Sequence, residues 1–318
     1  TTGRFETHKG FQERHQIVKS LIEDAFDSAE RKGRRALIGF LTAGDPSPEH
    51  TPRLCKALID GGVDILEIGI PFSDPIADGP TIQAADVRAL EAGTNPNTCL
   101  EIARSIKKYR QIPIVFLTYY NPIFRFGIEK FMKEASKCAD GLVVPDLPEI
   151  GSEEFLDYKR MAKKHGLSTI LLAAPTTPEK KLRALLQETT GFLYLVSLLG
   201  VTGVRKSMSP VNLNFIEHVS KVANRRTRVA VGFGISKPDQ VRAVLRTGVD
   251  GVIVGSAFVN IVANNLANID LAASELTQFT KRLRVATVDF VKLNDKEPKR
   301  TGKPENPSPE EMKSIWNE

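Results

Sequence analysis

The chain has 318 residues, of which 41% are hydrophobic and 26% are charged, so a sizeable core is available and collagen, coiled-coil and largely disordered proteins are excluded. The 44 Lys and Arg residues outnumber the 38 Asp and Glu residues by only six, and this scattered excess does not indicate a nucleic-acid-binding surface. No apolar run approaches the ~18 residues of a membrane span, which predicts a soluble protein.

The cysteines and histidines are spaced for neither a disulfide framework nor a metal site. Cys55, Cys99 and Cys138 are odd in number and form no C-x-x-C pair, which favours a reducing compartment. We expect the cytoplasm, or the plastid stroma if the N-terminus was processed, because the chain starts at Thr1 rather than Met. The five histidines have no metal-ligand spacing, so no metal is expected.

The chain begins with a polar stretch, residues 1–16, which we predict to be a flexible N-terminal segment. The next stretch, residues 17–32, has apolar side chains at helical spacing and predicts a helix that covers the bottom of the domain that follows. Those apolar residues are Ile17, Leu21, Ile22 and Phe26.

Eight short apolar runs then alternate with helix-like segments. The runs lie at 36–43, 65–70, 112–119, 141–147, 168–174, 192–198, 228–235 and 251–258. Helices are predicted after them, for example over 152–166, 178–189 and 237–247, with a last helix at about 268–293. The strands are continuous apolar runs, as expected when helices cover a parallel sheet. Eight such units predict a single α/β domain, a (β/α)8 TIM barrel over residues 17–293.

Two other features complete the predicted organisation. A doubly wound open sheet is the alternative fold, although no G-x-G-x-x-G follows an early strand. Residues 294–318 are rich in Pro, Lys and Glu, a composition that predicts a disordered C-terminal tail.

The second run, LEIGI, contains the first candidate catalytic residue. Glu67 alternates in phase with Ile65, whereas Leu66, Ile68 and Ile70 have the opposite phase, so we expect Glu67 to point into the barrel. Burial of a carboxylate raises its pKa towards neutrality, which suits a general acid or base. The alternative is a Glu held in a buried ion pair.

The loop after this strand, PFSDPIADGP, contains two more carboxylates, Asp74 and Asp78. An Asp before Pro is typical of a turn, and this interpretation suits Asp74. Asp78 lies further along and is expected to reach over the barrel mouth to pair with Glu67, so that the two carboxylates divide acid and base roles.

Glycine-containing turns follow the sixth, seventh and eighth runs, where barrels frequently bind phosphate. The turns contain Gly200, Thr202, Gly203, Gly232, Phe233, Gly234, Gly255 and Ser256. No Lys ends a strand and no His or Asp cluster is present, which disfavours Schiff-base and metal-assisted lyases. Aromatic residues near strand ends predict an apolar pocket: Phe40, Phe72, Tyr119, Tyr120 and Tyr194. Acid–base chemistry on a phosphorylated substrate is the predicted function.

Several of these motifs together resemble one known family. PFSDPIADGPTIQ after LEIGI, with FLTAGDP, SLLGVTG and VGFGIS, is similar to the tryptophan synthase alpha chain over about residues 17–290. The resemblance implies retro-aldol cleavage of indole-3-glycerol phosphate to indole and glyceraldehyde 3-phosphate, with no cofactor in this chain. It also implies a beta chain as partner, in an α2β2 complex.

The resemblance also implies roles for individual residues. Glu67 would protonate indole C3 and take the glycerol hydroxyl proton, and Asp78 would act at the indole N–H. Tyr194 would lie beside the substrate, and Thr202 would gate the loop that closes over it. Asp74 would contact the beta chain. Phosphate binding would fall on Gly203, Gly234, Gly255 and Ser256.

Other functions stay open at this point. Another phosphate-binding barrel enzyme, such as an isomerase, is the least favoured, because no His or Lys ends a strand. The chain could be a stand-alone lyase that releases indole, or a mainly regulatory subunit that activates a beta chain. A paired Glu67 and Asp78 over an apolar mouth weighs against the regulatory alternative, because a pure binding subunit has no need of them.

Overall fold

A computed structural model describes residues 20–196, 210–232 and 234–288. Within these ranges the chain forms nine short parallel strands and twelve helices. The strands are β1 (Ala36–Thr42), β2 (Ile65–Gly69), β3 (Ile114–Leu117), β4 (Gly141–Val143), β5 (Ser168–Ile170), β6 (Leu172–Ala173), β7 (Leu193–Val196), β8 (Val229–Gly232) and β9 (Gly251–Val254). The helices are α1 (Leu21–Arg31), α2 (Thr51–Gly61), α3 (Pro80–Glu91), α4 (Pro96–Tyr109), α5 (Tyr120–Phe126), α6 (Ile128–Ala135), α7 (Glu153–Lys164), α8 (Glu179–Glu188), α9 (Pro210–Ala223), α10 (Pro238–Leu245), α11 (Ser256–Asn264) and α12 (Ile269–Val285).

The strands form a nearly closed barrel, which confirms the predicted fold class. They pair in the order β5-β4-β3-β2-β1-β9-β8-β7-β6, and β5 and β6 are separated only by Leu171. One extended run therefore pairs with β4 through β5 and with β7 through β6. The alternative of an open, doubly wound sheet is wrong, because the two ends of the strand order meet at this run.

Alternate residues of the strands face two separate cores. Ile38, Ile65, Val143 and Ile253 belong to a cluster that fills the barrel interior. The residues of opposite phase, such as Leu66 and the other aliphatic residues of the second run, pack in the larger cluster between the sheet and the helices. The predicted orientation of the second run is therefore confirmed.

The helix α1 closes the bottom of the barrel, as the sequence predicted. Ile22 and Phe26 are buried in the interior cluster, whereas Leu21 lies 47% exposed on the opposite face of the helix. Ser20 begins the helix by accepting a hydrogen bond from the Glu23 backbone N–H, and the Glu23 side chain accepts one from the Ser20 N–H. Ile17, the fourth predicted apolar position, lies outside the described residues.

Several predicted strands and helices extend further along the chain than the observed ones. The last run ends as a strand at Val254, and Ser256 already begins α11, because Gly255 breaks the extended backbone with φ −119° and ψ −79°. The fourth run ends at Val143, and the fifth is interrupted at Leu171. The last predicted helix ends at Val285. The predicted flexible segment, 1–16, and the predicted disordered tail, 294–318, lie outside the described residues. The division of the chain into these two segments and a barrel over 17–293 therefore remains a prediction.

Aspartates that are buried or half-buried fix neighbouring strands at the bottom of the barrel. Asp64, Asp140 and Asp250 directly precede β2, β4 and β9, and each accepts a backbone N–H at the start of the preceding strand, at 2.7–2.9 Å. Each also pairs with a cation. The cations are Arg34 and Arg284 on Asp64, Lys107 on Asp140 and Arg228 on Asp250. These contacts stabilise the end of the barrel opposite the candidate site.

The helices in the described ranges are all too short or too polar to cross a membrane.

Candidate active site at the carboxyl ends of the strands

Glu67 lies at the centre of the barrel mouth. On β2 it is paired with Phe40 of β1 and Val115 of β3, and it is only 1% exposed. Neither carboxyl oxygen has a hydrogen-bond partner among the described residues. The alternative of a buried ion pair is therefore wrong within the described part of the chain.

Burial makes Glu67 a weaker acid than an exposed Glu. Removal from water is the main cause that raises its pKa to about 8, and the negative charge of Asp78 adds to the increase. The carboxyl group therefore stays largely protonated at neutral pH and ionises just above it. This is the titration range in which a carboxyl group acts as both a general acid and a general base.

Asp78 approaches the same mouth from the loop between β2 and α3. Its Oδ2 accepts a hydrogen bond of 2.7 Å from the Tyr119 hydroxyl, which in turn accepts the Ala77 backbone N–H at 3.0 Å. Burial raises the pKa of Asp78, and the hydrogen bond from Tyr119 opposes that increase. Asp78 thus reaches the mouth close enough for its charge to act on Glu67, although its hydrogen bond is made with the Tyr119 hydroxyl.

Tyr194 completes the group at the mouth. Its side chain belongs to the interior cluster and is 8% exposed. Burial and the charges of Glu67 and Asp78 raise its pKa, so it stays a neutral phenol beside both carboxyl groups. A Cβ at Gly232 of β8 would lie 2.6 Å from the Tyr194 hydroxyl, so the glycine provides the space for this hydroxyl.

Phe40 forms one wall of the mouth, held between two glycines. A Cβ at Gly69 would lie 2.8 Å from Cζ of Phe40, and one at Gly255 would lie 3.3 Å from its Cδ1. The rings of Phe72 and Tyr119 are 5.2 Å apart on another side. Phe40, Phe72 and Tyr119 of the predicted aromatic lining are thus placed with Glu67 and Asp78, whereas Tyr120 packs against Phe124 and Tyr158 instead.

Only some of the residues predicted to bind phosphate lie within the described part of the chain. Gly255 precedes α11 and Ser256 is its first residue, so the free N–H groups of the first helical turn lie at this edge of the mouth. Gly234 is exposed and has a φ of +43°. Thr202, Gly203 and Phe233 lie outside the described residues.

The remaining predictions concern the rim. Asp74 is exposed, and its carboxylate accepts a hydrogen bond of 2.5 Å from the Ser73 hydroxyl.

The three cysteines are buried and unpaired. In the described ranges, no group of three or more His, Cys, Asp or Glu side chains is arranged to hold a metal ion.

Two residues near the mouth were missed by the sequence analysis. Leu172 is paired with Tyr194 and packs against the interior cluster, and its alternation with Ile170 was the available signal. Asp86 is a buried carboxyl on α3, 5% exposed. It lies four residues after Ile82 and three before Ala89, on the apolar face of the helix. This spacing was the available signal that the carboxyl group is buried.

Comparison with known proteins identifies the family. The family model described as tryptophan synthase alpha chain matches residues 26–288. A protein of that name from Methanoregula boonei is 46% identical over 266 residues, which cover 83% of this chain and 97% of the relative. One from Arabidopsis thaliana is 41% identical over 268 residues, covering 84% of this chain and 95% of the relative.

Solved structures agree with the sequence relatives. The tryptophan synthase A-subunit of Pyrococcus furiosus superposes with a TM-score of 0.72 at 38% identity, covering 79% of this chain and 99% of that chain. A chain from Mycobacterium tuberculosis tryptophan synthase gives a TM-score of 0.75 at 31% identity, covering 85% of this chain and 98% of that chain. This chain therefore belongs to the tryptophan synthase alpha chain family.

Proposed function

We propose that the chain cleaves indole-3-glycerol phosphate into indole and glyceraldehyde 3-phosphate by acid–base catalysis. The observation that carries this proposal is Glu67, a buried carboxyl group without a hydrogen-bond partner among the described residues and with a pKa of about 8. A carboxyl group in this state has a proton to give to a carbon atom at neutral pH and accepts a proton once it is ionised.

The reaction needs two proton transfers that one such group can perform. Protonated Glu67 gives its proton to C3 of the indole ring, which places a positive charge on N1. The bond between C3 and the glycerol carbon then breaks and its electron pair returns to the ring. The ionised Glu67 takes the proton of the adjacent glycerol hydroxyl as the aldehyde forms. The carboxyl group is protonated again at the end, so the cycle is balanced.

Asp78 supports the charged stage of this reaction. Its carboxylate, held by the Tyr119 hydroxyl at 2.7 Å, accepts a hydrogen bond from the indole N1–H and stabilises the positive charge there. Phe40, Leu172 and Tyr194 enclose the flat ring, and apolar walls strengthen the electrostatic interactions of both carboxyl groups.

The phosphate group is assigned to the edge of the mouth where α11 begins, after β9. The first N–H groups of α11 and the Ser256 hydroxyl lie there, and a helix N-terminus favours an anion. Binding of the phosphate orients the reacting bond without taking part in the chemistry. The chain's own side chains supply every proton transfer in this scheme, and we expect no cofactor.

We infer that the partner is a tryptophan synthase beta chain and that Asp74, on the exposed loop next to Asp78, contacts it. Binding at this loop would act directly on the position of the Asp78 carboxylate. Replacement of Asp74 by Ala should therefore reduce the stimulation that a beta chain produces.

Release of indole from indole-3-glycerol phosphate tests the function. The purified chain is assayed with and without an added beta chain. Weak release that rises many-fold with the partner supports a synthase subunit, whereas strong release by the chain alone indicates the stand-alone lyase. A folded chain that releases no indole in either condition contradicts the proposal and favours the regulatory subunit.

A further inference from the structure

Asp78 is held by side chains at two different atoms. The Tyr119 hydroxyl donates a hydrogen bond to its carboxylate at 2.7 Å, and the Gln83 Nε2 donates one to its backbone carbonyl oxygen at 2.8 Å. A carbonyl oxygen only accepts hydrogen bonds, so the amide nitrogen of Gln83 is the atom that faces it. Gln83 is exposed, and the proposed reaction gives it no role.

The Gln83 contact connects α3 with the loop before it. Gly79, which lies between Asp78 and the helix, begins α3 without a side-chain hydrogen bond. The Asp78 N–H donates to the Pro75 carbonyl at 3.1 Å, a bond that stays inside the loop. The Gln83 side chain therefore ties the backbone of Asp78 to the helix. Tyr119 holds the other side of the loop, because its hydroxyl also accepts the Ala77 N–H at 3.0 Å.

The helix that carries Gln83 is itself fixed to the barrel. Arg88, later on α3, donates hydrogen bonds of 2.7 and 2.8 Å to the two carboxylate oxygens of Asp45. Asp45 follows β1 and is 4% exposed. Such a two-point contact sets orientation as well as distance. The Gln83 amide therefore has a defined position relative to β1, the strand whose Phe40 is paired with Glu67.

We propose that Gln83 is a positioning residue for the lyase reaction: it fixes the backbone of Asp78, while Tyr119 fixes the carboxylate, so that the carboxylate faces the indole N1–H. The proposal rests on the proposed function and adds a residue that acts through Asp78. Both contacts are needed, because the carboxylate keeps its place only when the backbone that carries it is also held.

This role predicts a loss in kcat rather than a change in KM. The Asp78 carboxylate interacts most strongly with the ring when N1 carries a positive charge, which happens only after C3 is protonated. Displacement of the carboxylate therefore weakens the transition state more than the bound substrate, and kcat and kcat/KM fall together. A side chain that only covers the surface of α3 would change neither.

The experiment measures kcat and KM for indole release by Gln83→Met and Gln83→Glu at neutral pH. Met keeps the length of the side chain and lacks the donor, so we expect kcat to fall by about three- to tenfold, the effect of one neutral hydrogen bond. Glu keeps the shape and places an acceptor against the Asp78 carbonyl, so its loss should be larger. KM should stay within about twofold of the wild type in both variants.

Gln111→Met is the matched control. Gln111 is also exposed, and its Nε2 donates the same kind of hydrogen bond, to the Lys107 carbonyl at 3.0 Å. It lies before β3, at the end of the barrel opposite the mouth. Its kcat and KM should equal those of the wild type.

The double variant Gln83→Met/Tyr119→Phe tests whether both contacts act through Asp78. Its loss of kcat should be smaller than the product of the two single losses, because either change already releases the same carboxylate. The losses of Gln111→Met and Tyr119→Phe, which share no partner, should multiply.

The results separate the positioning role from the proposed function. Wild-type kcat in both Gln83 variants overturns the role of Gln83, and so do losses that multiply in the double variant. Thermal unfolding verifies that the variants are folded, which we expect because Gln83 is exposed. A folded wild-type chain that releases no indole, with or without a beta chain, overturns the proposed function itself.

Discussion

The acidic side chains at the barrel mouth have raised pKa values because burial removes them from water and few contacts stabilise their charged forms. Glu67 and Asp86 have raised pKa values chiefly because they are removed from water. Asp78 is also buried, but the Tyr119 hydroxyl donates to it and favours its charged form. The Tyr119 phenol therefore opposes at Asp78 the increase in pKa that burial causes.

Removal of that phenol should shift the acidic limb of the pH profile. In Tyr119→Phe the charged form of Asp78 loses its hydrogen bond, so the pKa of Asp78 rises. A hydrogen bond to a charged group contributes about 1.5–3 kcal/mol and one pKa unit corresponds to about 1.4 kcal/mol, so we expect the limb to move to higher pH by about one to two units. The measurement is kcat/KM for indole release against pH.

Tyr120→Phe is the matched control, since it removes a hydroxyl from the adjacent residue, which is half-buried. Its acidic limb should coincide with that of the wild type. An unchanged limb in Tyr119→Phe, or a shift to lower pH, would contradict the role given to this hydrogen bond.

The sequence predicted only part of the arrangement of these acidic residues. The alternation of LEIGI was sufficient to place Glu67 inside the barrel, because its apolar neighbours define both faces of the strand. The Asp78–Tyr119 hydrogen bond joins residues 41 positions apart, and no local pattern contains that information. The expectation that Asp78 reaches over the mouth towards Glu67 agrees with the effect of its charge on the Glu67 pKa, whereas its hydrogen-bond partner could not be predicted.

At the scale of elements, the barrel depends on α1 as a bottom layer. Phe26 is 2% exposed, and its ring lies 5.6 Å from that of Phe192 inside the barrel. Helical spacing in the sequence was sufficient to predict this layer. Strand ends were harder, because apolar runs such as GVIVGSAF look the same whether they continue as a strand or enter a helix.

Truncation of the α1 side chain that fills the barrel should be costly. We expect Phe26→Ala to lower the free energy of unfolding by about 3–5 kcal/mol, because it leaves a cavity among well-packed residues. Leu21→Ala is the control on the exposed face of the same helix and should change it by less than about 0.5 kcal/mol. Denaturant titration measures both. Equal effects for the two variants would mean that α1 does not cap the barrel.

At the scale of the molecule, the two ends of the barrel have separate tasks. The bottom contains paired carboxylates, such as Asp64 with Arg34 at 2.6 Å and with Arg284 at 2.8 Å. At the mouth, by contrast, the Glu67 carboxyl group has no hydrogen-bond partner among the described residues, and Asp78 is held by the neutral Tyr119 hydroxyl. Barrels commonly show this division between a stabilising bottom face and a catalytic mouth, and here the partners of the acidic residues produce it.

Asp64→Ala should therefore affect stability and leave catalysis intact. Its removal leaves the buried Arg34 guanidinium without its partner, and we expect the free energy of unfolding to fall by about 3–5 kcal/mol. Asp60→Ala, which breaks an exposed ion pair with Arg110, should cost no more than about 1 kcal/mol. Thermal unfolding and kcat/KM at a temperature where both variants are folded separate the two effects. A large loss of kcat/KM in folded Asp64→Ala would contradict the division.

The measurement that tests the account most directly is indole release by Glu67→Gln. Gln keeps the size of the side chain and cannot transfer the proton, so kcat should fall by at least about 10²-fold. Binding of glycerol phosphate, which is assigned to the start of α11 rather than to Glu67, should stay within about threefold of the wild type. A folded Glu67→Gln chain that releases indole at the wild-type rate would contradict the assignment of Glu67 as the catalytic acid and base.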